Sequence, residues 1–284
     1  MPVDLMAAGL EADTRRMRIR SILGLLTACL LVTSRAEAQF TVADPAPAEN
    51  FNVELGVMFW QPTPTLLIQT GALTRITGGA VDFVQEFDIE NRRYPEFRVV
   101  GKGGKHKFRF SYIAIRYDEE ATLQRTVTFG GQTFNVGLPA TADLRWDLYR
   151  IGYEWDFVAR DRGFVGVVAE LKHNKVSADL AALAVGSEFY EATAPVPGIG
   201  IVGRGYPHPA VAITAEFTGF KLPDSISEEF EAKLFDFDIS ATVNFGRHAG
   251  FQAGYRSVVA EYLVDDDAGD LKLKGLYFGG VVRF

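Results

Sequence analysis

Apolar residues return at every second position along most of this chain, with polar ones filling the gaps. The clearest run is 235–245. Phe235, Phe237, Ile239, Ala241, Val243 and Phe245 fall on one face, and Asp236, Asp238, Ser240, Thr242 and Asn244 on the other. A two-residue period is the mark of a β-strand, because successive side chains point to opposite faces. The split recurs. Tyr149, Ile151, Tyr153, Trp155 and Phe157 oppose Arg150, Gly152, Glu154 and Asp156. Val165, Val167, Ala169 and Leu171 oppose Gly166, Val168, Glu170 and Lys172. Val211, Ile213, Ala215 and Phe217 oppose Ala212, Thr214, Glu216 and Thr218. Shorter versions stand at 107–112 and 251–256, with Arg109 and Arg256 on their polar faces.

Segments holding Gly or Pro interrupt the strands at 102–105, 160–163, 206–209 and 246–250. Longer connections near 61–80, 119–139, 181–187, 223–229 and 264–270 alternate with these short turns. Ten strands fit between them, near 51–60, 81–101, 106–118, 141–158, 164–180, 188–205, 210–222, 230–246, 250–263 and 271–284. A small hairpin is expected at 126–129 and 133–136. Residues 61–93 fit a loop, a helical turn or an extra strand pair, so eight or twelve strands remain as alternatives. The alternation slips near 113, 148, 258 and 275, where bulges or exit from a bilayer would explain it.

No apolar run among the 284 residues reaches the roughly 18 that a spanning helix needs. A chain so rich in alternating strands is therefore soluble or crosses lipid as a closed barrel, since an open sheet edge cannot stay unpaired in hydrocarbon. In a barrel the apolar faces meet lipid and the polar faces enclose the lumen. The fold class expected is all-β, a closed antiparallel up-and-down transmembrane barrel. Trp60, Tyr94, Tyr117 and Tyr262 are expected to mark an outer aromatic girdle, and Trp155, Phe157, Phe164, Phe245, Phe251 and Phe284 an inner one.

Residues 1–38 read as a signal peptide. Arg15, Arg16, Arg18 and Arg20 precede an apolar stretch at 22–32, and Ala36-Glu37-Ala38 supplies the small-residue cleavage site. Residues 1–16 look like an over-extended start, with Met17 the alternative initiator. Cys29 sits in a lipobox-like Leu26-Thr27-Ala28-Cys29, but the apolar core continues past it. Residues 39–50, rich in Ala, Pro and Asp, read as a flexible segment, and 51–284 as the barrel. Removing 1–38 takes five of the 29 basic and four of the 36 acidic residues, leaving 24 and 32, a net of −8. That balance argues against nucleic acid as a partner.

The last strand carries Leu276, Phe278, Val282 and the terminal Phe284, with Gly280 between. This ending resembles the final strand of small bacterial outer-membrane β-barrel proteins of the OmpA/OmpW-like or porin-like kind. The resemblance implies that these four residues are the signal read by the barrel-assembly machinery. It also implies a place in the bacterial outer membrane, with outer-membrane lipid and lipopolysaccharide as neighbours.

Arg109, Arg150, Glu154, Asp156, Glu170, Lys172, Glu216, Asp236, Asp238 and Arg256 are expected to point into the lumen. Both signs in a narrow space give either a salt-bridged polar core or a thin, cation-leaning pore. The function expected is structural or narrow passive transport, with no cofactor and no catalytic residues. A lipid-modifying enzyme and a soluble lipocalin-like binder are the alternatives. His173 is the candidate base for the first, but Asn174 and Lys175 follow it rather than a serine. Gly198-Ile199-Gly200-Ile201-Val202-Gly203 has a dinucleotide-like spacing, yet it lies in β-like sequence followed by Pro207 and Pro209. Asp265, Asp266, Asp267 and Asp270 form an acidic loop whose spacing is not that of an EF-hand, so no metal is expected there.

Overall fold

The computed structural model describes residues 49–69, 81–82, 91–123, 126–129, 132–182, 185–221, 230–264 and 267–284. The leader and the acidic residues Asp265 and Asp266 lie outside these. The strands are β1 (Val53–Gln69), β2 (Val81–Asp82), β3 (Tyr94–Gly103), β4 (His106–Thr122), β5 (Val127–Phe129), β6 (Gln132–Phe134), β7 (Pro139–Arg160), β8 (Gly163–Ala182), β9 (Gly186–His208), β10 (Val211–Lys221), β11 (Phe230–Phe245), β12 (Ala249–Val264) and β13 (Asp267–Arg283).

Ten of them form one antiparallel barrel in chain order: β1, β3, β4 and β7 to β13. The wall closes where β1 pairs with β13, from Glu54 opposite Arg283 to Gln69 opposite Ala268. Closure leaves neither terminal strand with an open edge along that seam, which is what a strand protein in lipid requires. Ten is thus the number, rather than eight or twelve. The short β2 pairs with β1 at Leu67 and Ile68. β5 and β6 make the expected small hairpin. The 81–101 strand is β2 and β3 only, and 83–90 lie outside the described residues.

One end of the barrel carries the tight connections, at Gly104-Lys105, Asp161-Arg162, Pro209-Ala210 and 246–248. Gly104 and Gly246 have φ of 63° and 69°, left-handed values that suit glycine in a tight turn. The chain enters at this end before β1 and leaves it at Phe284. At the far end the strands run longer than the sequence pattern marked. β8 and β9 continue through much of 181–187 and β12 and β13 through most of 264–270, leaving only three and two residues between strands. β9 has 23 residues, about twice the roughly 9–11 that a tilted strand needs to cross a bilayer.

That extra length explains the slips near 113, 148, 258 and 275. None is a bulge: pairing is continuous there, and the recorded register shifts lie at Trp155/Val158 and Val211/Ile213, near the tight-turn end. The in–out alternation holds while the chemistry inverts. Toward the tight turns, β7 buries Glu154 and Asp156 and exposes Ile151, Tyr153 and Trp155. Beyond Tyr149 the same strand buries Leu148, Trp146, Leu144 and Ala142 and turns Arg145 outward. β4 does likewise, with Lys107 and Ser111 inside below Ile113, Ile115 and Tyr117. The barrel therefore has two storeys. The lower is apolar outside and charged inside. The upper is built like a soluble domain, with a core of Met58, Trp60, Ile113, Ile115, Trp146, Leu148, Val258 and Leu273 among others.

The inversion corrects the aromatic girdles. Trp60, Tyr94 and Tyr117 are 1%, 6% and 1% exposed and belong to the interior core, because their position parity faces inward. Phe164 is likewise inside, at 6%. Trp155, Phe157, Phe245, Phe251 and Phe284 do lie on the outer surface. The side chain of Tyr262 is outside the described set.

Candidate functional site: the charged interior of the lower storey

Strand parity alone brings the charged side chains together. Residues of seven strands point at one axis, and each meets a partner of opposite sign from a neighbour or from across the barrel. The chain of contacts starts near the turns with Lys107, whose Nζ lies 2.9 Å from Asp156 and 2.6 Å from Glu154. Glu154 also receives Arg109 at 3.1 Å, and Arg109 reaches Glu216 at 2.5 Å. Arg150 joins Glu216 at 3.0 Å to Glu170 at 2.9 Å. Lys172 spans Glu170 at 2.9 Å and Asp236 at 3.2 Å, and donates to the Thr218 hydroxyl at 2.9 Å. Arg256 grips Asp236 through two nitrogens, at 3.0 and 2.7 Å, and Glu96 through the third at 3.1 Å. Arg98 then connects Glu96 at 2.7 Å to Asp238 at 3.5 Å, and Tyr277 donates to Asp238 at 2.6 Å.

All ten charged residues singled out in the sequence lie on this one connected path. Burial without partners would cost several kcal/mol for each ion. Arg256 and Lys172, 0% and 1% exposed, are tolerable only because carboxylates and a hydroxyl accept their hydrogen bonds. Arg256 also sits under the upper core, with its guanidinium 5.3 Å from the Trp60 ring, so it is the joint between the two storeys.

The ten leave out Glu96, Arg98 and, although its parity within 107–112 already faces inward, Lys107, as well as a second cluster at the tight-turn mouth. Glu49, just before β1, enters that mouth. Its carboxylate pairs with Arg204 at 2.9 Å and Lys102 at 3.0 Å, and the Tyr206 hydroxyl donates to it at 2.7 Å. The last acidic residue of the segment expected to be flexible is thus anchored. Burial pushes the Glu49 carboxyl up, but Arg204, Lys102 and Lys107 outweigh it and hold it down at about 2. Beside it Arg283 pairs with Glu54 and donates to Asn244 at 2.8 Å. With these included, the lower interior holds, among the described residues, nine cations (Arg98, Lys102, Lys107, Arg109, Arg150, Lys172, Arg204, Arg256, Arg283). It also holds nine anions (Glu49, Glu54, Glu96, Glu154, Asp156, Glu170, Glu216, Asp236, Asp238). The excess of acid behind the cation-leaning expectation is gone. Parity within 94–103 was the signal that could have found Glu96, Arg98 and Lys102; no periodicity marks Glu49.

A cavity of about 100 Å³ remains in this storey, bordered by Phe51, Arg98, Arg109, Arg204, Glu216 and Gln252. It holds a few waters at most.

The remaining candidates lie elsewhere. His173 is on the outer surface, its ring 6.2 Å from that of Tyr149. His106 shares a hydrogen bond with the Tyr153 hydroxyl at 2.6 Å, and His208 and His248 sit at tight turns. Gly198 to Gly203 lie within β9, whose Gly200 allows the Phe217 carbonyl to approach closely. Asp270 pairs with Lys272 at 2.7 Å, and among the described residues no group of three or more acidic, His or Cys side chains could hold a metal ion. Leu276, Phe278, Val282 and Phe284 form an exposed file on the outside of β13.

No protein-family model matches the chain, and no curated protein does. Solved structures do. The outer membrane protease OmpT from Escherichia coli is 8% identical, with a TM-score of 0.54 over 86% of this chain and 99% of that one. Ail of Yersinia pestis, solved with the heparin analogue sucrose octasulfate, is 14% identical, with a TM-score of 0.38 over 82% and 99%. The toluene transporter TodX of Pseudomonas putida is 7% identical, with a TM-score of 0.38 over 86% and 93%. The likeness to OmpT is one of fold, and small outer-membrane barrels are the architecture this chain shares.

Proposed function

We propose that this chain is an integral outer-membrane barrel with a structural role, one that closes its lumen to solutes and catalyses no reaction. Its leader is cleaved, its tight turns and both ends face the periplasm, and its upper storey stands outside the cell. The β13 file of Leu276, Phe278, Val282 and Phe284 serves assembly, and lipid and lipopolysaccharide surround the lower storey.

One observation carries the closed reading. The paired charges of the lower storey are capped by the apolar core around Trp60, Ile115, Trp146 and Leu148, and the cavity among those charges is about 100 Å³. An ion entering would meet first a hydrocarbon-like layer and then carboxylates and guanidiniums already paired with each other. Neither offers it a replacement for its hydration shell. The same surfaces speak against the lipid-modifying alternative, because His173 faces outward beside Tyr149 and has no hydroxyl nucleophile next to it in sequence. Planar-bilayer recording of the purified protein tests the proposal. Silence at 100 mV is the expected result, and reproducible single-channel steps would overturn it.

A further inference from the structure

The cluster at the tight-turn mouth is built unlike the rest of the interior. Everywhere deeper, each charge belongs to a strand and is paired by strands. At the mouth, two cations of the barrel wall, Lys102 of β3 and Arg204 of β9, share a carboxylate that comes from outside the wall. Glu49 precedes β1 and reaches in. Its two oxygens are divided between them: Oε1 takes Arg204 and the Tyr206 hydroxyl, and Oε2 takes Lys102. Lys102 also donates to the Glu49 backbone carbonyl at 2.6 Å.

The donors are held in place without Glu49. The Arg204 Nε donates to the Thr214 hydroxyl at 2.9 Å, and its guanidinium lies 5.5 Å from the Phe164 ring. Tyr206 is 5% exposed and packs on Ala212. The Lys102 ammonium sits 5.0 Å from the ring of Phe51. Two cations and a phenol converge on one spot, and of these Arg204 also lines the 100 Å³ cavity, together with Phe164 and Phe51. A pre-set fork of charged donors around two oxygens is how proteins bind carboxylates. Without Glu49 the nine cations of the lower interior would face eight anions, and the surplus would sit at this mouth.

We propose that Arg204, Lys102 and Tyr206 form a carboxylate-binding site at the tight-turn mouth, occupied by Glu49 as a tethered ligand and open to carboxylate solutes when that residue is withdrawn. Glu49, just ahead of β1, is then a stopper that imitates the ligand. A periplasmic molecule bearing a carboxylate is the class of partner that fits.

The experiment uses the full chain folded in a neutral detergent, with Glu49→Ala and ¹³C-acetate as the probe. Acetate line broadening should be saturable with Glu49→Ala and absent with the unaltered chain, whose site is filled. Acetate should also raise the thermal midpoint of Glu49→Ala, where sodium chloride of equal ionic strength does not. Adding Arg204→Gln should weaken acetate binding more than tenfold, the loss expected for a charged donor. If Glu49→Ala does not fold, Glu49→Ser takes its place. Equal broadening with and without Glu49, or equal rescue by chloride, would overturn the site. The readout does not depend on conductance. A barrel that conducts yet binds acetate as described would refute the closed-barrel proposal alone.

Discussion

Arg256 shows what a single buried residue does here. It lies 0% exposed between Asp236 and Glu96 under the Trp60 ring. Removing one member of such a group strands the others without a counter-charge. Arg256→Ala is therefore expected to cost about 3–5 kcal/mol in denaturant unfolding from detergent. Glu49 makes a second prediction at this scale. Its carboxyl, ordinarily at 4.5, is held near 2 in the folded chain. A depressed acid contributes stability that is complete above the unfolded value and fades as pH falls toward the folded one. Arg204, Lys102, Lys107 and Tyr206 face it, and none of these is a second carboxylic acid. Glu49→Gln should thus remove part of the stability loss that the unaltered chain shows between pH 4.5 and about 2, read as the thermal midpoint at each pH. The ten interior charges of β4, β7, β8, β10, β11 and β12 were legible because strong alternation fixed their parity. Glu49 was not, since it belongs to no strand and its role depends on how the chain bends back into the mouth.

At the scale of elements, the seam between β1 and β13 is where closure is decided. Gly275 and Gly279 of β13 lie so close to β1 that a Cβ on either would collide with the carbonyl oxygens of Gln61 and Val57 respectively. The Trp60 Nε1 donates to the Gly275 carbonyl at 3.2 Å across the same seam. Gly279→Val is expected to prevent or weaken closure, seen as loss of the slower-unfolding, heat-modifiable band on gels, while Gly205→Ala, which meets nothing within 4 Å, should be tolerated. Strand existence and order were readable from alternation and turn residues. The far-end reach of β8, β9, β12 and β13 was not, because pattern reading took a change of polarity for the end of a strand. For Trp60, Tyr94 and Tyr117 residue type points to a rim, whereas their position parity points inward, and the structure follows the parity.

At the scale of the molecule, the two storeys give the three tryptophans different surroundings. Trp155 is 45% exposed on the lower wall, whereas Trp60 and Trp146 are 1% and 3% exposed in the upper core. Reconstituted into brominated lipid, the protein should lose the fluorescence of Trp155 and keep most of that from the other two. With Trp155→Phe, emission should become nearly indifferent to bromination. Quenching of Trp60 and Trp146 as strong as that of Trp155 would contradict the division into storeys.

That division also sets the depth at which the barrel can float. Raising it by one rung would wet Phe59, Phe278 and Tyr255, while lowering it would drag Arg145, Asp147 and Lys274 toward the acyl chains. Both displacements are uphill, so the wall measures the thickness of the lipid around it, and a thinner or thicker leaflet must deform to fit the protein rather than the reverse.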